Sequence, residues 1–358
     1  MNKKGVSTLK VAATYIGTVV GAGFATGQEL LQFFSKFGAM GLAGLLVSAV
    51  MFIVFGYIIM DLGKNLNARS HVEIILYSSG SQIGTAIDYI ITIFLFGSFS
   101  AMIAGTGALF TQQLNLPGLL GNILMAVLTA LTVLTGINGV INSISFVVPF
   151  LLTAVIGTSV FSIINTPPDI AHAAINAGRS GLMNNWFLAA VLYVSYNTIL
   201  SIAVLGPLGA SAQNKKAIRN GSILGGLGLG MGSVMIYLAL SGNAKEIAGL
   251  EVPMIYVASK ISYFAQIIYA LVLTAEVYTT SVGALYGFAA RITDIQNNPV
   301  KGRIVVAVST LAALLASQFG FSNLVKYLYP VVGYCGIILL VSLAYTTFSN
   351  KRIHKTSH

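Results

Sequence analysis

Charge is what this sequence has least of. Only 8% of its 358 residues are Asp, Glu, Lys or Arg, against about a quarter in a soluble domain. A globular chain of this size would lack the polar surface to stay dissolved. From Tyr89 to Pro168 there is no charged side chain at all, a run of 80 residues, and a membrane span needs roughly 20. Soluble enzymes, disordered chains and nucleic-acid binders are excluded at this step. Cysteine is nearly absent: the single Cys335 excludes a disulfide framework and a cysteine metal cluster. His71, His172, His354 and His358 fall in loops or the tail, too scattered for a metal site. The first apolar stretch is long and glycine-rich, without a small-residue cleavage site, so it is read as a span and not as a signal peptide. No paired carboxylates, His cluster or nucleophile with its base occur at one depth, which speaks against an enzyme.

What is present is apolar length. The runs, punctuated by Gly, Pro or charge, predict ten helices at about 8–35, 39–62, 82–112, 118–135, 138–164, 184–207, 219–241, 255–289, 302–318 and 322–348. An even number puts both termini on one side, and the distribution of cations tests that. Lys3, Lys4, Lys10, Lys64, Arg69, Lys215, Lys216, Arg219, Arg291, Lys301, Arg303, Lys351, Arg352 and Lys355 fall on the terminal side, 14 of the 19 cations. Lys36, Arg179, Lys245, Lys260 and Lys326 fall on the other. Positive charge marks the cytoplasmic side, so the net excess of +10 records topology: a multi-pass protein of a bacterial-type inner membrane with both termini cytoplasmic. Trp186, at the outer start of the sixth span, suits an interfacial indole. Short surface helices are expected in the connections 63–81 and 165–183, the second starting near Pro167-Pro168-Asp169.

The two halves correspond in spacing. Each of the first five spans finds a counterpart about 180 residues later. With five spans per half, the second must lie upside down relative to the first, the inverted repeat on which many secondary transporters are built. The expected fold class is therefore an all-α polytopic membrane protein. Its ten transmembrane helices form a 5+5 inverted repeat, residues 1–165 and 166–358 of one integral domain.

Corresponding spans of the halves carry mid-membrane irregularities. Gly17, Gly21, Gly23 and Gly27 fall within eleven residues of the first span. They suit close helix packing, or an unwound stretch near Val20 to Gly23 whose carbonyls face a cation and whose following amides face a carboxylate. The sixth span holds Tyr193, Ser195, Tyr196, Asn197, Thr198 and Ser201 within nine residues. That many polar groups at mid-span predict a cavity more than interhelical glue. Helices 1 and 6 are both expected to be discontinuous.

The segment Gly17-Thr-Val-Val-Gly21-Ala-Gly23 resembles the first-helix motif of LeuT-type transporters and the amino acid–polyamine–organocation superfamily. The whole chain, with its short termini, resembles the small bacterial YkvI-like family of amino-acid permeases. The resemblance implies a sodium ion held by the carbonyls of Gly17 and Val20 with hydroxyls of the eighth span, here Thr280 and Ser281 beside Thr279. It implies substrate binding at Thr18, Gly21, Ala22 and Gly23, at Phe99 of the third span (Phe94 and Phe96 being neighbours), and at Tyr193, Ser195, Tyr196 and Asn197. The glycine usual in the sixth span is absent. In proton-coupled relatives a lysine on the fifth span replaces sodium, and residues 136–164 hold no Lys, Arg or His.

Glu276 lies at mid-span, one helical turn before Thr280 and on its face. An unpaired carboxylate there is costly. It is open to binding a cation, carrying a coupled proton, contacting a substrate amine, or standing neutral between helices. Glu29 and Asp88 are weaker candidates for gates or packing partners; Asp61 lies at a membrane edge. These readings point to a secondary transporter of a small amino acid or related zwitterion, working by alternating access with sodium as the favoured coupling ion. Spans one, two, six and seven would rock against a scaffold containing three and eight. Its partners are the bilayer and a small-molecule substrate, with no nucleic acid and no resident cofactor. The alternatives are a proton-coupled permease using Glu276, and a ligand sensor resembling a germinant-receptor subunit.

Overall fold

The computed structural model describes residues 5–68, 71–135, 137–170, 182–293 and 298–355. Lys3, Lys4, Arg69, Arg179, His172, His358 and most of the second surface connection lie outside them. Among the described residues there is no strand, and the chain runs through fourteen α-helices. The first span is three pieces: α1 (Thr8–Val19), α2 (Ala22–Thr26) and α3 (Gln28–Phe33). There follow α4 (Ala39–Asn65), α5 (His71–Leu114), α6 (Gly118–Val133) and α7 (Ile137–Asn165). The second half holds α8 (Trp186–Ser211), α9 (Lys215–Ser241), α10 (Ala244–Ile247), α11 (Pro253–Ser259), α12 (Tyr263–Ile292), α13 (Pro299–Ala316) and α14 (Phe321–Lys355).

By length and composition seven of these are able to cross a bilayer, within α4, α5, α8, α9, α12, α13 with the turn after it, and α14. The other three expected places hold the interrupted first span, the 16-residue α6 and α7. Local chemistry sets the helix starts. Asn185, Asn214 and Ser262 accept the amides of Leu188, Ala217 and Ala265 at 2.8, 2.8 and 3.1 Å, as N-cap residues do. Pro253 and Pro299 open α11 and α13, where a missing N–H costs nothing. The surface helix expected before the third span is the first part of α5, set off by Gly80 at φ 72°, a conformation that glycine tolerates.

The helices sort into two groups. α4 packs most extensively on α8 and α9, and α1 on α9; α5 packs on α12 and α6, and α12 on α7. α14 bridges the groups, touching α8 and α5, and α7 does so too, touching α9 and α1 as well as α12. Large apolar residues such as Leu46, Leu131, Met231 and Val308 point outward and are exposed, the surface that lipid rather than water solvates. Inside, small residues bring backbones together. A Cβ on Gly63 would collide with the carbonyl of Gly206, and one on Gly209 would meet the backbone of Met60. The pair α4–α8 is thus a backbone-to-backbone contact that no side chain larger than hydrogen fits.

One expectation fails. The sixth span is not discontinuous: α8 runs unbroken for 26 residues. Two of its polar groups bond back to their own helix, Asn197 Nδ2 to the Tyr193 carbonyl at 2.9 Å and Thr198 Oγ1 to Val194 at 2.7 Å. Such back-bonding satisfies the side chain without opening the backbone ladder, and no glycine is present there to lower the helix propensity.

Gly209→Ala is expected to cost about 1–3 kcal/mol by overpacking. Gly157→Ala, whose Cβ would meet nothing within 4 Å, should be neutral or gain up to about 1 kcal/mol. Thermal unfolding of both variants in detergent checks the contrast.

Candidate functional site

The break in the first span is the centre of the site. Val20 is extended (φ −69°, ψ 113°) and so is Gly21 (φ −120°, ψ −175°). The α1 ladder closes with Val20 N–H on the Ile16 carbonyl at 2.8 Å, and pairing resumes with Ala25 N–H on Gly21 at 3.0 Å. Ala22 and Gly23 are already helical, so the opening is one peptide wide and not the longer unwound stretch expected up to Gly23. A second bend follows at Gly27, φ 80°, which only glycine adopts at low cost. Gly17, Thr18 and Gly21 remain partly exposed, whereas every residue from Ala22 to Leu31 is buried. Thr18 bonds its hydroxyl to the Thr14 carbonyl at 2.6 Å.

Two contacts fix α12 against this break. Thr280 stands opposite Gly21, its Cγ2 and Oγ1 3.6 and 3.8 Å from where a Gly21 Cβ would lie. Tyr269, eleven residues earlier, donates its hydroxyl to the Ala25 carbonyl at 2.7 Å. Glu276 lies between these anchors on the same side of α12 and is buried. Thr280 Oγ1 donates to its Oε1 across a long 3.5 Å, and Oε2 is buried without a partner. Thr279 bonds back to the Glu276 carbonyl at 3.0 Å. Ser281 is turned toward α6 of its own group, sharing a 2.9 Å hydrogen bond with Thr129. The structure therefore brings Thr280 and Glu276 to the break, and engages Thr279 and Ser281 elsewhere.

The opposite wall is built by Glu29. The bend at Gly27 folds α3 back so that the Glu29 side chain covers Gly23, where its carboxylate takes the space of the missing Cβ. Glu29 is buried and its Oε2 has no hydrogen-bond partner; the Tyr196 hydroxyl interacts with its carboxylate, and the Tyr193 hydroxyl lies near Ser233. Tyr193, Tyr196 and Tyr329 stand close enough to act on it electrostatically. These rings continue into a cluster. Tyr196 lies 4.9 Å from Tyr329 and 5.5 Å from Phe33, and Phe94 lies 5.4 Å from Tyr329, centroid to centroid. Phe99 is also buried, but the described ring contacts of this cluster come from Phe94. Ser195 points away, donating to the Gly333 carbonyl of α14 at 2.5 Å.

Asp88 has another place. Arg291 Nε reaches its Oδ1 at 3.0 Å, the Arg291 Nη2 contacts Oδ2, and His71 Nε2 lies 3.4 Å from Oδ1. This bidentate pair ties α5 to α12 within one helix group, away from the break. Sequence reasoning missed Tyr329, Phe33 and Tyr269. Their roles depend on contacts across hundreds of residues and no local pattern announces them.

An interrupted first span facing the eighth, with the helices in these two packed groups, defines an integral-membrane protein of the LeuT-type transporter fold. MhsT, solved in complex with L-phenylalanine, aligns with a TM-score of 0.67 over 94% of this chain and 89% of its own, at 15% identity. A Na+-coupled sialic acid symporter in a substrate-bound outward-open state aligns at 0.67 over 96% and 82%, at 12% identity. At such identities the likeness concerns the fold. In sequence, the chain is 32% identical over 340 residues to YkvI, a membrane protein of Bacillus subtilis (strain 168), covering 94% of this chain and 95% of that one. The chain belongs to the YkvI family. No protein-family model matches it.

Because the Glu29 side chain fills the space over Gly23, Gly23→Ala must displace it. The Gly23→Ala and Glu29→Ala changes should be coupled by about 1–2 kcal/mol, within the range for residues in contact. A double-mutant cycle on thermal stability measures it; additive effects would remove the contact.

Proposed function

We propose that the protein is a secondary transporter that moves a small amine-bearing solute, in the class from amino acids to simple amines, across a bacterial-type inner membrane by alternating access. Sodium is the coupling ion, both termini are cytoplasmic, and the halves 1–165 and 166–358 are inverted repeats. The observation that carries this reading is the one-peptide break at Val20–Gly21 apposed to Thr280. A broken helix inside a bilayer leaves backbone carbonyls that only a partner or a cation satisfies. The carbonyls of Gly17 and Val20 with the Thr280 hydroxyl offer hard oxygen donors of the kind such a cation takes, and Ser281 could join them by releasing Thr129. Alternating access would move α1, α4, α8 and α9 against a scaffold containing α5 and α12; the extensive α4–α8, α4–α9 and α5–α12 packing supports that division.

A second reading is favoured by one atom. Glu276 Oε2 is buried and unpartnered one turn from Thr280, which suits a carboxylate that takes up the coupled proton in place of sodium. A non-transporting sensor would bind ligand without accumulating it, so time-dependent uptake by proteoliposomes separates that alternative from both.

In NaCl, purified protein should melt higher than in KCl of equal ionic strength, and Thr280→Ala should weaken the apparent sodium affinity by about tenfold, or ~1.4 kcal/mol. A wild-type melting temperature indifferent to sodium would remove the sodium assignment. If protons are the coupling ion, Glu276→Gln should abolish uptake driven by a pH gradient in sodium-free proteoliposomes. Uptake unchanged in that variant from pH 5 to 8 would remove Glu276 as the carrier.

A further inference from the structure

The surroundings of Glu29 differ from those of the ion site, and their chemistry specifies a ligand. Glu29 is buried with its Oε2 unpartnered, the buried Tyr196 hydroxyl interacts with its carboxylate, and the buried Tyr193 hydroxyl lies near Ser233. Among the described residues no Lys, Arg or His pairs with Glu29. A buried carboxylate without a counter-charge is costly in its ionised form, so a cation placed beside it would be strongly favoured. The walls say which kind. Within electrostatic reach of the carboxylate stand Tyr193, Tyr196 and Tyr329, whose rings pack against one another and against Phe33 and Phe94. A hard metal ion needs six or more oxygen ligands, and the described residues contain no group of three metal-binding side chains. Aromatic faces around a single carboxylate instead suit an ammonium group and the carbon attached to it.

The position of Glu29 narrows the class further. Its carboxylate lies over Gly23, close to the break, the place where the family resemblance implies the carboxylate of a zwitterionic substrate. Two carboxylates forced together without a cation between them repel strongly at low dielectric. The protein already supplies the anion there.

We propose that Glu29, with the rings of Phe33, Tyr193, Tyr196 and Tyr329, binds the cationic head of an organic amine that has no α-carboxylate, so that simple amines or methylated ammonium compounds are the substrate class and α-amino acids are rejected. The Tyr196 hydroxyl, beside the carboxylate, orients it toward the ligand. This deepens the transport reading: it rests on it for the ligand's passage through the membrane but not for its capture.

The test compares ligands that differ in one group. Purified wild-type protein is titrated with tyramine, with tyrosine (tyramine plus the carboxylate), and with tyrosol (the hydroxyl in place of the amine). Isoamylamine against leucine, and tetramethylammonium chloride against sodium chloride, extend the series. Thermal shift and isothermal calorimetry read the binding. The amines or the quaternary ammonium should stabilise the protein, while tyrosine, leucine and tyrosol bind at least about tenfold more weakly. Glu29→Gln should weaken the amine by about tenfold or more, the loss expected for a charge-assisted contact. Should that variant not fold, the amine-against-tyrosol comparison on the wild type decides alone.

Amino acids binding as well as their amines, tyrosol binding as well as tyramine, unchanged amine affinity in a folded Glu29→Gln, or no stabilisation by any cation tested would each overturn the proposal. Amine binding without accumulation in proteoliposomes would remove transport and leave this site standing. Accumulation of an amino acid without amine binding would do the reverse.

Discussion

Inside a bilayer a helix can be interrupted only where something other than lipid receives the freed backbone groups. The rest of this structure is arranged around one such interruption, at Val20–Gly21. α12 is pinned to it twice, by Thr280 opposite Gly21 and by the Tyr269 hydroxyl on Ala25. The bend at Gly27 then folds α3 back, so that an acid from one side of the break, Glu29, and an acid from the facing helix, Glu276, both lie buried within a few turns of it. Remove the interruption and neither carboxylate has a reason to be where it is.

The chain keeps the remainder of its backbone closed at the cost of tight packing. α8 could have opened as the first span does, and its cluster of hydroxyl and amide groups suggests that from the sequence. The difference lies in how the polar groups are used. Asn197 and Thr198 bond to the preceding turn, and Ser195 reaches α14 at Gly333. An intact α8 can then press against α4 through Gly63 and Gly209. A helix locked backbone to backbone is a firm wall against which Tyr193 and Tyr196 can be held still.

What the sequence discloses follows from how local each cause is. The membrane class is legible from charge alone, because the scarcity of polar surface is a property of composition. The break in the first span is legible because glycine weakens a helix wherever it stands. The continuity of α8 was not, since hydroxyls at mid-span serve equally as cavity lining and as back-bonded caps, and only the neighbouring helix decides. Glu29 was seen as a weak candidate for a gate. Its placement over Gly23 depends on the left-handed Gly27 between them, a conformation that a glycine permits without announcing. Tyr329 was invisible for a plainer reason: it meets Tyr196 from a helix more than a hundred residues away.

The two acids near the break sit in contrasting surroundings, and the contrast separates their tasks. Glu276 shares its space with the hydroxyl of Thr280, which itself stands opposite the opened backbone at Gly21, a polar setting in which a small inorganic cation or a proton is at home. Glu29 shares its space with rings and two phenols, a setting that leaves a hydrated ion poorly solvated but welcomes a soft, bulky cation. Two cations drawn to opposite walls of the same short, broken segment would repel directly across it. They would help each other only through the protein, each favouring the arrangement of α1, α2 and α12 that the other also needs, which is what coupling between two bound ligands requires. On this argument the break is more than a place to bind: it is the element that both sites bias, and a chain with an unbroken first span could bind either cation without coupling them.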